Sequence, residues 1–236
     1  YHTSTVQIAY DPDNVYFGFV VTDAYHENAA NSAWNGDSIQ LMIANAAQDT
    51  QVALYNYALG GMETEIGEII VNHEARPEGG DDTEAIVSRN VETKRTIYEI
   101  RLPKSAMGLE DLSAGVKFGL GMAINDGDEA TPGQKGWGGL GAHSIVFGKH
   151  PAETALVTLA APVVERERIQ RNDIEPGKEY YTAIKAAEPI VLDGDLSEWR
   201  SAQLLADPRF SIPKFSKADG ELVNFEILGD GDWTGP

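Results

Sequence analysis

Two stretches carry side chains whose type and spacing could do chemistry. The first is Asn125-Asp126-Gly127-Asp128-Glu129, an acidic turn whose hard oxygen donors suit calcium. It lacks the full spacing of an EF-hand loop, so a solvated turn with Asp126 capping backbone amides is the reading these residues favour over an ion site. Asp193 and Asp195 raise the same question in a second turn. The other stretch is Gly136-Trp137-Gly138-Gly139-Leu140-Gly141, formally a dinucleotide G-x-G-x-x-G. No strand–turn–helix context surrounds it, so that match is empty. An aromatic in a glycine-rich loop suits either a binding face or a plug at the end of a β-structure.

Catalytic signatures are missing. The chain has no G-x-S-x-G elbow, no H-E-x-x-H and no P-loop. Its 37 acidic residues make accidental carboxylate pairs common, so spacing alone supports no glycosidase dyad. His2, His26, His73, His143 and His150 are scattered singly, as surface or loop residues are. Zero cysteines exclude disulfides, thiolate zinc sites, iron–sulfur clusters and a cysteine nucleophile.

The elements that must position these residues read as strands. Val6, Ile8 and Tyr10 alternate, Asp11-Pro12-Asp13-Asn14 turns, and Val15, Phe17, Phe19 and Val21 alternate again. Ile39, Leu41 and Ile43 repeat the period of two. Further strands follow at 52–57, 68–72, 84–89, 96–102, 117–125 and 155–159, with a short helical piece expected at 104–109. With 24 glycines and 11 prolines between short apolar runs, the fold class is all-β, an antiparallel β-sandwich of jelly-roll or immunoglobulin-like kind. No apolar run reaches the roughly 18 residues of a membrane span, so membrane insertion is not expected. A net charge of −19 repels phosphate backbones and anionic lipid surfaces, which sets nucleic acid aside.

The organisation divides in three. Residues 1–160 form the main sandwich body, and 161–189 read as a charged linker containing Pro176-Gly177. Residues 190–236 start afresh: Ile190–Leu192 as a strand, an Asp193-Gly194 turn, then Trp199 as a plug.

Leu192-Asp-Gly-Asp-Leu-Ser-Glu-Trp199 resembles the opening of the family 9 carbohydrate-binding module and its DOMON-like relatives. The body is similar to the rest of such a module in Val15-Tyr-Phe-Gly-Phe-Val-Val-Thr-Asp23, Trp34-Asn-Gly-Asp-Ser-Ile-Gln-Leu-Met-Ile43, Tyr98-Glu-Ile-Arg-Leu-Pro103 and Phe118-Gly-Leu-Gly-Met-Ala-Ile-Asn-Asp126. The order is rotated, with the front of a module at the C-terminal end. The segment 190–236 would then complete the sandwich in cis, or join a neighbouring copy in trans and assemble head-to-tail. The charged linker ahead of it favours the trans route, and pairing of Val223–Ile227 with a strand of a 1–160 unit is expected either way.

The resemblance implies sugar binding, with sugar C–H faces packed on aromatic rings and fixed polar groups reaching hydroxyls. It places a clamp tryptophan at Trp34, which could equally be a packing residue. It puts Gln40 where a ligand-contacting carboxylate usually sits and Asn56 at a polar position of the next strand. Leu54 stands where a sugar-contacting Arg would be, and Phe147 replaces the second clamp tryptophan. Trp34, Asn35, Gln40, Asn56 and Trp137 are expected on one concave edge with Phe147. No organic cofactor is implied, and a structural calcium at Asp126, Asp128 and Glu129 is. The function implied is a non-catalytic, extracellular or cell-surface module of a larger multidomain or tandem-repeat protein, with a glycan or polysaccharide as partner. The rival reading is a structural or adhesive repeat that has lost sugar binding and contacts neighbouring copies of itself.

Overall fold

The computed structural model of the chain describes residues 2–29, 32–128, 132–161, 180–201, 203–206 and 211–212. Its strands are β1 (His2–Tyr10), β2 (Asn14–Thr22), β3 (Glu27–Asn28), β4 (Ser38–Ala44), β5 (Gln51–Met62), β6 (Glu65–Ala75) and β7 (Glu84–Asn90). They continue as β8 (Arg95–Pro103), β9 (Lys117–Asp126), β10 (Gly136–Gly138), β11 (Ala155–Ala160), β12 (Tyr180–Lys185), β13 (Gln203–Ala206) and β14 (Ser211–Ile212). Among the described residues the only helical pieces are short 3-10 turns, and no helix is long and apolar enough to cross a membrane. The expected helical piece at 104–109 is a pair of overlapping turns, closed by Met107 N to Pro103 O and Leu109 N to Lys104 O.

Hydrogen bonding links β3-β5-β4-β9-β11-β12-β1-β2-β8-β7 in that order, with β6 on β5 and β10 on β9. Ile39, Leu41, Tyr57 and Phe118 from one half share a single buried core with Ile8, Phe17, Phe19 and Ile100 from the other. The sheet therefore curls on itself, and its two halves pack face to face as a sandwich. The first hairpin forms as its sequence demands: Asp11 Oδ1 accepts the backbone N–H groups of Asp13 and Asn14, each at 2.7 Å, closing the turn between β1 and β2.

Alternation along β4 decides where a site can lie. Ile39, Leu41 and Ile43 point into the main core, so Gln40 and Met42 stand on the opposite face. There Met42, Leu54 and Ala123 join Ala142 and Ile145 in a second small cluster under the loop that follows β10. Gly121 of β9 makes that loop's approach possible, because a Cβ there would collide with Ser144 Oγ.

The stretch 161–189 is not a linker throughout. Tyr180–Lys185 is a strand, parallel to both β11 and β1 and the only parallel element of the sheet among the described residues. Tyr181 and Ala183 alternate onto the core, a pattern obscured in the sequence by the charges around it. Beyond it, β13 and β14 pair antiparallel with β1, filling the edge of β1 that β12 leaves open. Ile190–Leu192 forms no strand: the Val191 N–H goes to the Glu198 carboxylate at 3.2 Å instead of to a ladder, and just beyond the segment Glu99 accepts the N–H groups of Asp193 and Gly194. Trp199 is fully buried, as expected of a plug, and within this one chain it is buried against its own body. Val223–Ile227 and most of the expected linker lie outside the described residues.

Candidate functional site

A row of amides crosses the face behind β4. Gln40 Nε2 donates to Asn56 Oδ1 at 2.7 Å, directly across the β4–β5 ladder. Asn125 Nδ2 donates to Gln40 Oε1 at 3.2 Å and to Ser38 Oγ at 3.0 Å. Asn56 Nδ2 reaches Asn72 O at 2.9 Å and Glu74 Oε1 at 3.3 Å, and Gln134 Nε2 donates to Asn125 Oδ1. Each amide fixes the orientation of the next, so the row is rigid and its polar atoms are paired. Beyond these bonds Gln40 keeps one N–H and one carbonyl lone pair for another molecule.

Gln40 and Gln134 of this row reach the floor of a cleft of about 390 Å³, whose other lining residues are Trp34, Glu74, Trp137, Ile145, Val146, Phe147, Gly148 and Lys149. Trp34 is 40% exposed and Phe147 67% exposed. Trp137, on β10 opposite Asn125, meets Phe147 edge-on with ring centroids 6.0 Å apart and planes at 78°. One side of Trp137 packs on the second apolar cluster while the residue also lines the cleft, so the two readings of its loop are both partly realised. Phe147 has φ +64°, a left-handed conformation that costs a bulky L-residue about 1–2 kcal/mol. Backbone strain of this kind clusters at functional sites, which makes the cleft rim the place to look for one.

Of the residues expected on this edge, Trp34, Gln40, Trp137 and Phe147 line the cleft, and two stand behind it. Asn56 is fully buried beneath Gln40. Asn35 accepts the Gln134 N–H at 3.0 Å and so holds the cleft-lining loop in place. Leu54, where a sugar-contacting Arg was sought, is fully buried against Met42, so an arginine there would carry a buried charge.

Asp126 is 2% exposed, which excludes the solvated-turn reading for that residue. Its carboxylate lies within 4.8 Å of those of Asp23 and Asp37, both buried; Asp128 is outside this group, and Glu129 lies outside the described residues. Asp37 accepts the N–H groups of Gly127 at 2.7 Å and Glu27 at 2.8 Å, and its Oδ2 lies 3.3 Å from His26 Nδ1. His26, expected in a surface or loop position, lies in the loop before β3 but is fully buried, with Nε2 2.8 Å from Leu59 O. Three buried carboxylates so close together repel one another unless a proton or a cation intervenes. Hard oxygens converging from three strand ends fit a calcium-like ion.

Residues 2–142 match the model of the family described as carbohydrate family 9 binding domain-like. The chain belongs to that family. Among solved structures it is similar to a family 9 module from Caldicellulosiruptor kristjanssonii in complex with cellotriose, at 12% identity and TM-score 0.51, covering 74% of this chain and 80% of that one. A family 9 module from the same organism in complex with glucose gives 12% identity and TM-score 0.51, covering 71% of this chain and 81% of that one. At such identity these likenesses speak for the shared β-sandwich alone. A search of curated protein sequences gives no match.

Sequence reasoning within the family 9 pattern missed Glu74, Gln134 and Lys149 in the cleft, and Asp23 and Asp37 beside Asp126. A signal for the carboxylates was present: each of the family-like motifs ending in Asp23, containing Asp37 or ending in Asp126 places its aspartate at one end of a strand.

Proposed function

We propose that the cleft binds a glycan without transforming it, as a non-catalytic recognition module of an extracellular or cell-surface protein. The observation that carries this reading is the pairing of aromatic walls, Trp34, Trp137 and Phe147, with the amide floor at Gln40. Apolar C–H faces of a sugar ring pack on the aromatics, while Gln40 offers a fixed donor and acceptor to hydroxyls. A binder that must hold its ligand unchanged needs no titrating pair poised over a bond, only rigid contacts. The same reading assigns a structural calcium to Asp23, Asp37 and Asp126, where it would neutralise buried charge and tie β2, β4 and β9 together. Contact with neighbouring copies would use the groove that receives Trp199, occupied here by the chain's own segment.

Affinity electrophoresis of the full chain in gels of soluble neutral polysaccharide tests the reading. Retardation that is abolished in Trp34→Ala supports it. Free migration of the wild-type chain through every polysaccharide of a broad panel would overturn it.

A further inference from the structure

Only two charged side chains line the cleft among the described residues, Glu74 and Lys149. They face each other, with Lys149 Nζ 3.4 Å from Glu74 Oε2, and are 40% and 34% exposed for the lysine and the glutamate. A pair this wet adds little to stability. Its placement says more than its strength. Glu74 Oε1 accepts from Asn56 Nδ2, which anchors the carboxylate to the amide row and through it to Gln40. Lys149 Nζ donates weakly to Ile145 O at 3.4 Å, which ties the ammonium to the loop that carries Phe147. An ammonium has three donors and a carboxylate about four acceptor sites, so each partner retains capacity beyond these contacts.

Resting on the reading of the cleft as a glycan site, we propose that Glu74 and Lys149 act together as a charge-balanced pair that recognises adjacent hydroxyls and excludes charged sugars. One hydroxyl accepts from Lys149 while its neighbour donates to Glu74, and both bonds are charge-assisted. A ligand carboxylate entering the same place meets Glu74, and a ligand ammonium meets Lys149. Exclusion of the wrong ligand by like charge is the repulsive half of specificity. The overall charge of −19 adds to the barrier against anions but cannot discriminate between positions within a ligand.

The test uses the full chain, a neutral soluble β-glucan and a polygalacturonate as probes, and retardation at low and high salt. Wild type is retarded by the neutral glucan and not by the polyuronate, with little dependence on salt. Glu74→Gln leaves Lys149 unopposed and gains affinity for the polyuronate by about fivefold to tenfold, and the gain vanishes at high salt. Lys149→Met loses affinity for the neutral glucan without that gain. The double variant, neutral again, loses the polyuronate binding that Glu74→Gln acquired. Melting temperatures of the variants close to wild type show that folding is not what changed. A Glu74→Gln chain with the wild-type ligand profile, or a wild type that binds both probes alike, overturns the proposal while leaving the glycan site standing. A wild type retarded by no glycan removes both.

Discussion

The indole Nε1 of Trp199 donates a 3.0 Å hydrogen bond to Oε1 of Glu99, one hundred residues earlier in the chain. Oε2 of the same carboxylate accepts the backbone N–H groups of Asp193 and Gly194. Around this bond the fit is close: Tyr16 meets the indole edge-on at 6.4 Å, and a Cβ on Gly18 would touch it at 3.2 Å. Gln7 Nε2 donates to the Trp199 carbonyl at 3.2 Å. Trp199→Ala should therefore cost about 3–5 kcal/mol of unfolding free energy, the range for a buried aromatic, read by denaturant titration. Glu99→Gln should cost about 1–3 kcal/mol, since an amide cannot accept from every donor that the carboxylate serves. A Trp199→Ala chain as stable as wild type would mean that the segment does not close the sandwich in solution.

The same carboxylate gives a pH dependence of definite sign. Burial, with a contribution from the charge of Glu198, raises the pKa of Glu99 above the usual carboxylate value against the pull of its three donors. The folded state thus holds this proton more tightly than the unfolded chain. Between the ordinary glutamate value and the raised one, folded Glu99 is protonated and unfolded Glu99 is not. Stability from this group is complete below the ordinary value and declines as pH rises through the raised one. Glu63 has the opposite sign. Its burial is outweighed by bonds from Lys94, the His26 N–H and Arg89, so its pKa is lowered and its contribution disappears as pH falls through that lowered value. Unfolding curves of wild type and Glu99→Gln, compared from neutral to mildly acid pH, should show the wild-type advantage growing as pH falls. A constant difference would contradict this assignment.

How much of this was legible in the sequence depends on the range of the interaction. Period-two alternation marks β1, β2 and β4 because one face of each is largely apolar, and it puts Gln40 on the other face, where the β4–β5 register sets it across from Asn56. Trp199 is recognisable as a plug because an isolated tryptophan after a turn needs a place to bury. By contrast, nothing local says that Glu99 receives it, since a glutamate in a strand reads as a solvated position until its donors are seen. Asp23, Asp37 and Asp126 are dispersed along the chain, and only the β4–β9 pairing and the curl of the sheet bring them together. Lys149 and Glu74 are ordinary surface charges in sequence, and the cleft alone gives them a setting.

Trp34 and Trp137 should separate binding from folding. Trp34 stands 40% exposed at the rim, so Trp34→Ala should lower glycan affinity by about tenfold or more with little change in melting temperature. Trp137 also packs on the cluster of Met42, Leu54 and Ile145, so Trp137→Ala should weaken both affinity and stability. Titration calorimetry beside thermal unfolding of the two variants tests the contrast. Equal destabilisation by both would place Trp34 in the core rather than at a site.

Phe147 should show the cost of holding an aromatic ring at a positive φ. Glycine adopts φ +64° without strain, and most of the phenyl ring is in solvent, so Phe147→Gly should keep or raise the melting temperature. Affinity should fall at the same time, because one wall of the cleft is gone. Substitution by alanine retains most of the backbone strain and should gain nothing. A marked loss of stability in Phe147→Gly would mean that the ring is needed for packing and that its conformation carries no functional strain.

The carboxylate triad allows a test in which two physical states predict opposite signs. If a calcium-like ion sits among Asp23, Asp37 and Asp126, Asp126→Asn removes a ligand charge and destabilises the fold. With no ion, the same change removes like-charge repulsion between buried groups and stabilises it. The proposed structural calcium predicts the first outcome. It also predicts that chelator lowers the melting temperature, and that excess calcium restores it. An ion at about a hundred times its dissociation constant contributes about 2.7 kcal/mol, which for a chain of this size is a shift of about 5–10 °C. Because Asp37 also accepts the Gly127 N–H and Asp126 adjoins Asn125 of the amide row, chelation should loosen the cleft and reduce glycan affinity together with stability. An Asp126→Asn chain that melts higher than wild type, with wild type indifferent to chelator, would leave the triad as a buried cluster without an ion and would end the case for the metal.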